Sequence, residues 1–353
     1  MNPIRIHPSA MRRRATLLLA ATWLGLHAPL WAQRLDPATL ARPADPVLIA
    51  AAKAEGKLLF YGTPATTALA ADAAAFEKAY GIKATFQQIT TGPIVARIDQ
   101  EIKAGRINPD VVLNADLASM SRWVGDKQFA RLPDLPYPGR TDYLAQVQVV
   151  YQGLLFNTNL VPKAEVPKTW NDVLQPRFAG KIVLGHPRIG PGFASLYYGL
   201  LHDPKYGEAF FTKLAAQRPR MVQSVGLISQ AIGAGEATIG FTGLPFDAVN
   251  LKAQSPNAPI DYTYLDVVTS APTFMGINAR ASNPNAARLF AAWMMSPSGQ
   301  ATHNGEGRAS SVLGNLPGTL TAPEISSVRH DVTTEKVAGE YRALIDMFDR
   351  LFN

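Results

Sequence analysis

The sequence contains no cysteine among its 353 residues. Disulfide bonds, thiolate metal sites and cysteine nucleophiles are therefore excluded, and so is lipid attachment through a cysteine behind a signal peptide. A chain of this size without disulfides needs a large apolar core, and a hydrophobic content of 47% is sufficient for one.

The sequence also lacks the short motifs of common enzyme classes. It has no GxSxG nucleophile motif, no HExxH zinc motif and no GxxxxGK[ST] phosphate-binding loop. Its six histidines are scattered, and no basic run interleaved with aromatic residues indicates nucleic-acid binding. An exported hydrolase remains an alternative function. It would require a serine or a pair of carboxylates matched to a base in a cleft.

The first 32 residues are typical of a secretory signal peptide. A cluster of three arginines at 12–14 precedes an apolar run over 15–30, and Ala32 provides a small residue at the end. No later stretch offers 18 consecutive apolar residues. We therefore expect export to the periplasm, with a retained N-terminal anchor helix as the alternative. The sequence does not separate the Sec route from the twin-arginine route.

Removal of this segment changes the meaning of the high isoelectric point. The segment carries four arginines and no acidic residue, so the formal net charge falls from +7 to +3. The basic character of the whole chain is thus partly a property of the export signal, and it does not point to a nucleic-acid partner.

Short apolar runs alternate with helical stretches over the first part of the mature chain. Asp45 is a predicted N-cap for a helix over 46–55 that ends at Gly56, and Thr91 is a predicted N-cap further on. Strands are predicted over 57–61, 82–88 and 110–113, and helices over 68–80 and 94–104. This alternation favours an α/β fold with a parallel sheet covered by helices.

Two β-like stretches, 146–157 and 261–278, are longer than ordinary strands within one domain. A second alternating unit lies between them, with predicted strands over 181–184, 221–222 and 237–241. We interpret the pattern as two discontinuous α/β lobes joined by two crossing strands that form a hinge. Two consecutive domains are the alternative.

This interpretation assigns every part of the mature chain to a unit. Lobe 1 is predicted to comprise 33–148 and 270–310, and lobe 2 to comprise 149–269. Residues 311–353 are predicted to be a helical segment that packs on the back of the lobes, with its helix over 335–352.

Six polar turns follow the predicted strands, three in each lobe. In open α/β sheets, ligands bind at the carboxyl ends of the strands. Several of these turns open a helix directly, and a helix start with free N–H groups suits an anion. The turns span 62–67, 90–93, 114–116, 186–192, 223–226 and 242–246. The predicted ligand-binding residues are Thr63, Thr66, Thr90, Thr91, Asp116, His186, Arg188, Gly190, Ser224, Gly226, Gly243 and Phe246.

Several of these residues have a second interpretation. His186 and Arg188 could pair with an anion, but a structural hydrogen-bonding role suits the histidine and a surface position suits the arginine. Asp116 could bind an amino group or a cation, or cap the following helix. Phe246 could form a wall of the cleft, or belong to the core like most aromatic residues beside a sheet.

Two segments carry the most specific pattern, TWNDVLQPRFAGKI at 169–182 and NPNAARLFAAWMMSPSGQ at 283–300. Together with KLLFYG, PDVVL and GEATIGFTG, they resemble the extracellular solute-binding proteins of the ferric-iron type, a branch of the class II periplasmic binding proteins. The resemblance covers about 46–311. It implies a two-lobed fold, a periplasmic location and the permease subunits of an ABC importer as partners. We further expect a monomer without a cofactor.

Iron-binding members of this family hold ferric iron with two adjacent tyrosines, a histidine and a carboxylate, and a hard ion favours the phenolate and carboxylate oxygens of this set. At the matching positions this chain has Pro245-Phe246, residues 63–65 and Asn114-Ala115. A tyrosine pair exists at 197–198, but it is predicted to lie inside a helix. We therefore predict no metal site and a small organic anion as ligand, namely a carboxylate, phosphonate or phosphate ester. Ferric iron or another metal on the same fold is the alternative, and Asp116, His186 and Asp247 are candidate ligands for it.

The resemblance places an anion-contacting turn at 188–190, with Ser224 and Gly226 in the next such turn. Either Arg188→Ala or Ser224→Ala is therefore expected to weaken an anionic ligand by about 1 to 3 kcal/mol, through loss of a charge-assisted contact. Titration calorimetry on the mature protein measures this change. Unchanged affinity in both variants would move the site elsewhere.

Overall fold

The computed structural model describes residues 45–329, 332 and 334–352. The predicted signal peptide over 1–32 lies outside these residues. Within the described part of the chain, no helix is both long enough and apolar enough to cross a membrane.

Two mixed β-sheets, each flanked by helices, make up the structure. The strands are β1 (Lys57–Gly62), β2 (Lys83–Gln88), β3 (Val111–Asn114), β4 (Phe129–Ala130), β5 (Ala145–Tyr151), β6 (Gly153–Asn157), β7 (Ile182–Gly185), β8 (Arg220–Val222), β9 (Ile239–Gly243), β10 (Ile260–Thr263) and β11 (Ser270–Asn278). The α-helices are α1 (Pro46–Glu55), α2 (Thr66–Tyr80), α3 (Thr91–Lys103), α4 (Leu117–Gly125), α5 (Pro191–Leu201), α6 (Gly207–Ala216), α7 (Val225–Gly233), α8 (Pro245–Gln254), α9 (Pro284–Met294), α10 (Pro297–Asn304) and α11 (Thr334–Phe352).

The first sheet has the order β2-β1-β3-β11-β4, and β5 also pairs with β11. Strand β1 is parallel to both β2 and β3, whereas β11 is antiparallel to β3, β4 and β5. The late strand β11 therefore joins the parallel strands to the remainder of the sheet. We call this sheet with its helices lobe 1.

The second sheet has the order β10-β6-β9-β7-β8. Strand β7 is parallel to β8 and β9, and β6 is antiparallel to β9 and β10. We call this sheet with its helices lobe 2. The first sheet is built from two separate stretches of the chain, and the second sheet is inserted between them. This arrangement confirms the predicted fold class, the two-lobed α/β fold of class II periplasmic binding proteins.

The chain passes between the sheets at residue 152 and again over 264–269. The Gln152 N–H donates to the Thr269 carbonyl oxygen at 3.0 Å, so the two crossings are hydrogen-bonded to each other. Strand β5 stays in the first sheet as far as Tyr151, beyond the boundary predicted at 148. The local pattern hides this break because the β-like character continues directly into the fully buried strand β6.

Each lobe has its own aromatic core. In lobe 1 the Phe290 ring lies 5.0 Å from that of Phe60 and 5.2 Å from that of Phe76, measured between centroids. In lobe 2 the Trp170 and Phe241 ring centroids are 4.6 Å apart. These rings come from different sheet layers and helices, so their burial stabilises each lobe as a packed unit.

The helix starts follow the predicted signals with one correction. The Asp45 carboxylate accepts the Val47 N–H at 2.9 Å, and Gly56 ends α1 with a left-handed φ of 72°. The N-cap of α3, predicted at Thr91, is Thr90, and its side chain makes no capping bond. Helix α3 can start this early because Pro93 falls in its first turn, where a missing N–H costs nothing.

Helix α11 matches the predicted C-terminal helix, and its Leu344, Met347 and Phe348 are buried in the lobe 2 core. The helix packs on α5 and α6, contacts the turn at 187–189 and also reaches α4 of lobe 1. The prediction placed it on the back of the lobes. Its last turn lies instead beside the turn that follows β7, on the side of the strand carboxyl ends, because Arg188 provides a partner for Asp349 there.

A buried carboxylate joins strand β1 of the first sheet to helix α9. Asp110 is 1% exposed and accepts hydrogen bonds from the Leu59 N–H and from both the main-chain and side-chain N–H groups of Asn283, all at 3.0 Å. It thereby ties β1 to the start of α9, and Asn283 lies 173 positions after Asp110 in the sequence.

Replacement of Asp110 by alanine is expected to lower the free energy of unfolding by about 3 kcal/mol, because it leaves buried N–H donors without a partner. Urea denaturation measures the change. Asp134→Ala is the matched control, since that carboxylate is fully exposed, and it is expected to leave the midpoint unchanged. Equal effects of the two substitutions would contradict the structural role of Asp110.

Candidate functional site

A cavity of about 340 Å³ lies between the two sheets, at the carboxyl ends of their parallel strands. All six predicted turns contribute to its wall, although often through a neighbour of the residue that was named. The contributing turn residues are Thr63, Pro64, Ala65, Thr91, Ala115, Ile189, Gly190, Gly192, Val225, Leu244 and Phe246.

Four of the predicted binding residues line this cavity: Thr63, Thr91, Gly190 and Phe246. Their contact with a ligand remains a prediction. The other eight lie outside its wall: Thr66, Thr90, Asp116, His186, Arg188, Ser224, Gly226 and Gly243.

His186 and Arg188 face helix α11 instead of the cavity. The His186 Nδ1 accepts the Arg188 N–H at 3.0 Å, so the neutral ring carries its proton on Nε2, 3.2 Å from Asp349 Oδ1. The Arg188 guanidinium contacts both Asp349 oxygens, at 2.7 and 3.3 Å. Hydrogen bonds from Arg188 and then from His186 lower the pKa of the Asp349 carboxyl.

This arrangement corrects the prediction that both side chains face a ligand. The partner, Asp349, is supplied by a helix 161 positions further along the chain, which no local pattern indicates. The pair instead holds in place the turn whose Ile189 and Gly190 line the cavity.

Other predicted residues have packing or capping roles. The Asp116 carboxylate accepts the Ala118 N–H at 3.2 Å and the Ser119 hydroxyl at 2.6 Å, so it caps α4. A Cβ on Gly243 would lie 2.1 Å from Leu155 Cγ, so this glycine allows two strands to pack closely. Ser224 is exposed and its side chain makes no capping bond.

One helix start from each lobe borders the cavity, because Ala65 just before α2 and Gly190 just before α5 both line it. In lobe 1 the N–H groups of Thr66 and Thr67 open α2, and in lobe 2 those of Gly190 and Gly192 open α5. None of these four has a hydrogen-bond partner within the described chain. The positive dipole end of each helix adds to this field, so the cavity attracts negative charge.

The one charged side chain among the described wall residues is also positive. Among the described residues that line the cavity none is acidic, and Arg308 is the single cation. Its Nε donates to the His303 carbonyl oxygen at 3.2 Å and its Nη1 to Glu306 at 2.6 Å, while Nη2 donates to the Thr302 carbonyl. A guanidinium has five N–H groups, so these bonds leave two unused, while the ion pair with Glu306 offsets part of the positive charge.

The crossing strands supply wall residues that sequence reasoning missed. Gln148, Val150 and Gln152 alternate along the first crossing and face the cavity together, as a strand period of two requires. Thr273 on β11 donates its hydroxyl to Gln148 Oε1 at 3.3 Å. Glutamines recurring at even positions in an otherwise apolar β-like stretch were the available signal.

The tyrosine pair lies in α5, as predicted. Tyr197 is fully buried, its hydroxyl donates to the Gly185 carbonyl and lies 2.9 Å from Thr242 Oγ1, and burial raises its pKa. Among the residues the structure describes, no three His, Asp or Glu side chains are close enough together to hold a metal ion. Asp116 and His186 contact other partners, as described above, so they do not form a site with Asp247.

A two-lobed fold with a ligand-sized cavity between its sheets is characteristic of periplasmic solute-binding proteins. A family model described as "Bacterial extracellular solute-binding protein" matches residues 62–301, and the chain belongs to this family. The match confirms the resemblance found in the sequence.

Two solved structures show the same fold at low sequence identity. The crystal structure of iron-bound HitA from Pseudomonas aeruginosa is 16% identical and superposes with a TM-score of 0.62 over 84% of this chain and 99% of that one. The periplasmic binding protein AfuA from Actinobacillus pleuropneumoniae, with exogenous fructose-6-phosphate bound, is 20% identical, with a TM-score of 0.56 over 84% and 98%. An uncharacterized protein of Haemophilus influenzae is 22% identical over 318 residues, covering 84% of this chain and 90% of the relative.

Asp247 stands next to Phe246 in the first turn of α8, and its Oδ2 is buried without a partner in the described chain. A helix start normally favours a carboxylate, but burial dominates here and raises the pKa of Asp247 to about 7. The folded state therefore binds this proton more tightly than the unfolded state.

It follows that Asp247 lowers stability progressively as pH rises from about 4 to about 7. Asp247→Asn is expected to stabilise the protein by roughly 2 to 4 kcal/mol at pH 8 and to flatten this pH dependence. Urea denaturation of both proteins at pH 4.5 and pH 8 measures the difference. Parallel stability curves for the two proteins would show that burial does not perturb this carboxyl.

Proposed function

We propose that this protein is exported to the periplasm, where it serves as the monomeric solute-binding component of an ABC importer and captures a small organic anion. The observation that carries the proposal is the convergence of free helix N–H groups from both lobes on one cavity whose described wall holds Arg308 and no carboxylate. The ligand is bound and released unchanged, and no cofactor takes part.

The anion bridges the lobes in this proposal. Its charged group accepts hydrogen bonds from the start of α2 on one side and from the start of α5 on the other, near Thr63 and Gly190. Thr91 and Phe246 complete the wall around it. At both helix starts the donors are backbone amides, which suit carboxylates, phosphonates and phosphate esters alike.

Closure follows from the position of the two crossings. The segments joined by the Gln152–Thr269 hydrogen bond carry the chain from one sheet to the other and back, and the stretch after α10 returns once more to lobe 2, where α11 packs. A ligand that contacts both lobes favours the arrangement in which the lobes are closer, and it does so by its differential contacts. The closed form is then recognised by the permease subunits.

The likeness to a protein with bound fructose-6-phosphate supports a phosphate ester as one class of guest. The likeness to an iron-bound protein keeps ferric salts in the test. At the positions that match the iron ligands of that family, however, Pro245 is buried and Phe246 offers no oxygen.

A thermal-shift screen of the mature protein against carboxylates, phosphonates, phosphate esters, amines and ferric salts tests the proposal. An anion at a hundredfold excess over its dissociation constant is expected to add about 2.7 kcal/mol to the free energy of unfolding. Solution scattering with the best anion is expected to show a smaller radius of gyration.

If ferric salts alone raised the melting temperature, the proposed ligand would be a metal ion and not an organic anion. Turnover of an added ester would make the protein a hydrolase. An unchanged radius of gyration with a saturating anion would contradict closure while leaving the binding role intact.

A further inference from the structure

Gln152 occupies the point where the chain leaves the first sheet for the second, and its side chain lines the cavity. The residue is 2% exposed, yet its Oε1 has no hydrogen-bond partner among the described residues. A buried amide oxygen without a partner is costly, because it has lost its hydrogen bonds to water. Such a group is expected where a guest completes the hydrogen bonding.

The Gln152 amide also lies directly beside the start of α5, where the proposed anion accepts hydrogen bonds in lobe 2. A Cβ built on Gly192 would come within 2.3 Å of Gln152 Nε2, so a larger residue in the second position of α5 would displace the glutamine. Gly192, whose N–H is free, and the Gln152 carboxamide are therefore adjacent in the cavity wall. An anion bound at this helix start places its adjoining atoms next to Gln152.

The chemistry of a carboxamide restricts what those adjoining atoms can be. The amide presents one acceptor and two donors, and its terminal torsion is broad, so either face turns toward a guest at small cost. A hydroxyl group both donates and accepts, and it matches the amide in either orientation. An ammonium group only donates, and it would enter a wall whose described residues include no carboxylate to neutralise it.

From this juxtaposition we infer that Gln152 is a specificity-determining residue, and that the ligand is a hydroxylated organic anion with a hydroxyl on an atom close to its charged group. The inference rests on the proposed anion-binding function and narrows it. Gln148, with Oε1 already engaged by Thr273, lies further along the same strand face and completes a neutral polar strip.

Calorimetric titration of the mature protein with glycerol 3-phosphate and n-propyl phosphate tests this assignment, because the two differ only in hydroxyl groups. We expect glycerol 3-phosphate to bind at least tenfold more tightly, about 1.4 kcal/mol. Gln152→Met is expected to remove most of this preference by weakening glycerol 3-phosphate, while n-propyl phosphate changes by less than twofold.

If Gln152 had only a structural role, its replacement would lower the melting temperature of the ligand-free protein. Gln152→Met removes an unpartnered amide, so the melting temperature of the ligand-free protein is expected to stay constant or rise. Gln217→Met is the matched control, because Gln217 also has a buried Oε1 without a partner in the described chain but lies outside the cavity wall. It is expected to leave the ratio of the two affinities unchanged.

Several outcomes would overturn the inference. Equal affinity for the two phosphates, or a lower melting temperature of ligand-free Gln152→Met with an unchanged affinity ratio, removes Gln152 from specificity and leaves the anion proposal standing. Tighter binding of phosphoethanolamine than of glycerol 3-phosphate replaces the hydroxyl by an ammonium group. If neither these esters nor inorganic phosphate nor glycerate binds, both the inference and the proposed function fall.

Discussion

The hydrogen bond from the Gln152 N–H to the Thr269 carbonyl joins the two places where the chain crosses between sheets. Each crossing is short, and beyond it the chain enters a strand buried in a separate core. Relative motion of the lobes therefore requires bending at these few residues, and it also changes the contact of α11 with α4 of lobe 1. The hinge and the wall of the cavity share the same residue, so a guest that contacts the Gln152 side chain also touches the axis of closure.

The electrostatics of the cavity come mainly from the backbone. The charge of Arg308 is paired with Glu306, and the side chain, 9% exposed, is held by carbonyls at the end of α10, the negative end of that helix. The starts of α2 and α5 supply partial positive charge without a flexible side chain. A site of this kind is already organised before the guest arrives, so little ordering entropy opposes binding.

The alternation of apolar runs and helix caps was enough to predict the fold, because Asp45, Gly56 and the glycine-rich turns act locally. The same reasoning found the six turns that surround the cavity. It did not foresee that His186 and Arg188 contact Asp349, which comes from a distant helix. It also overlooked Gln152, whose importance appears only once β5 and β6 are known to belong to different sheets. Side-chain direction within a turn depends on such long-range packing, and residue type alone does not encode it.

The position of β11 has a consequence for how the chain acquires its structure. This strand pairs with β3 and β5, and the helix after it receives the carboxylates of Glu55 and Asp110, so lobe 1 lacks essential partners until nearly three hundred residues have been made. The sheet of lobe 2 is a contiguous insertion, but its core also needs Leu344, Met347 and Phe348 from α11 at the other end of the chain. Neither lobe can therefore complete its core until most of the chain has been made, and contacts of such separation form slowly.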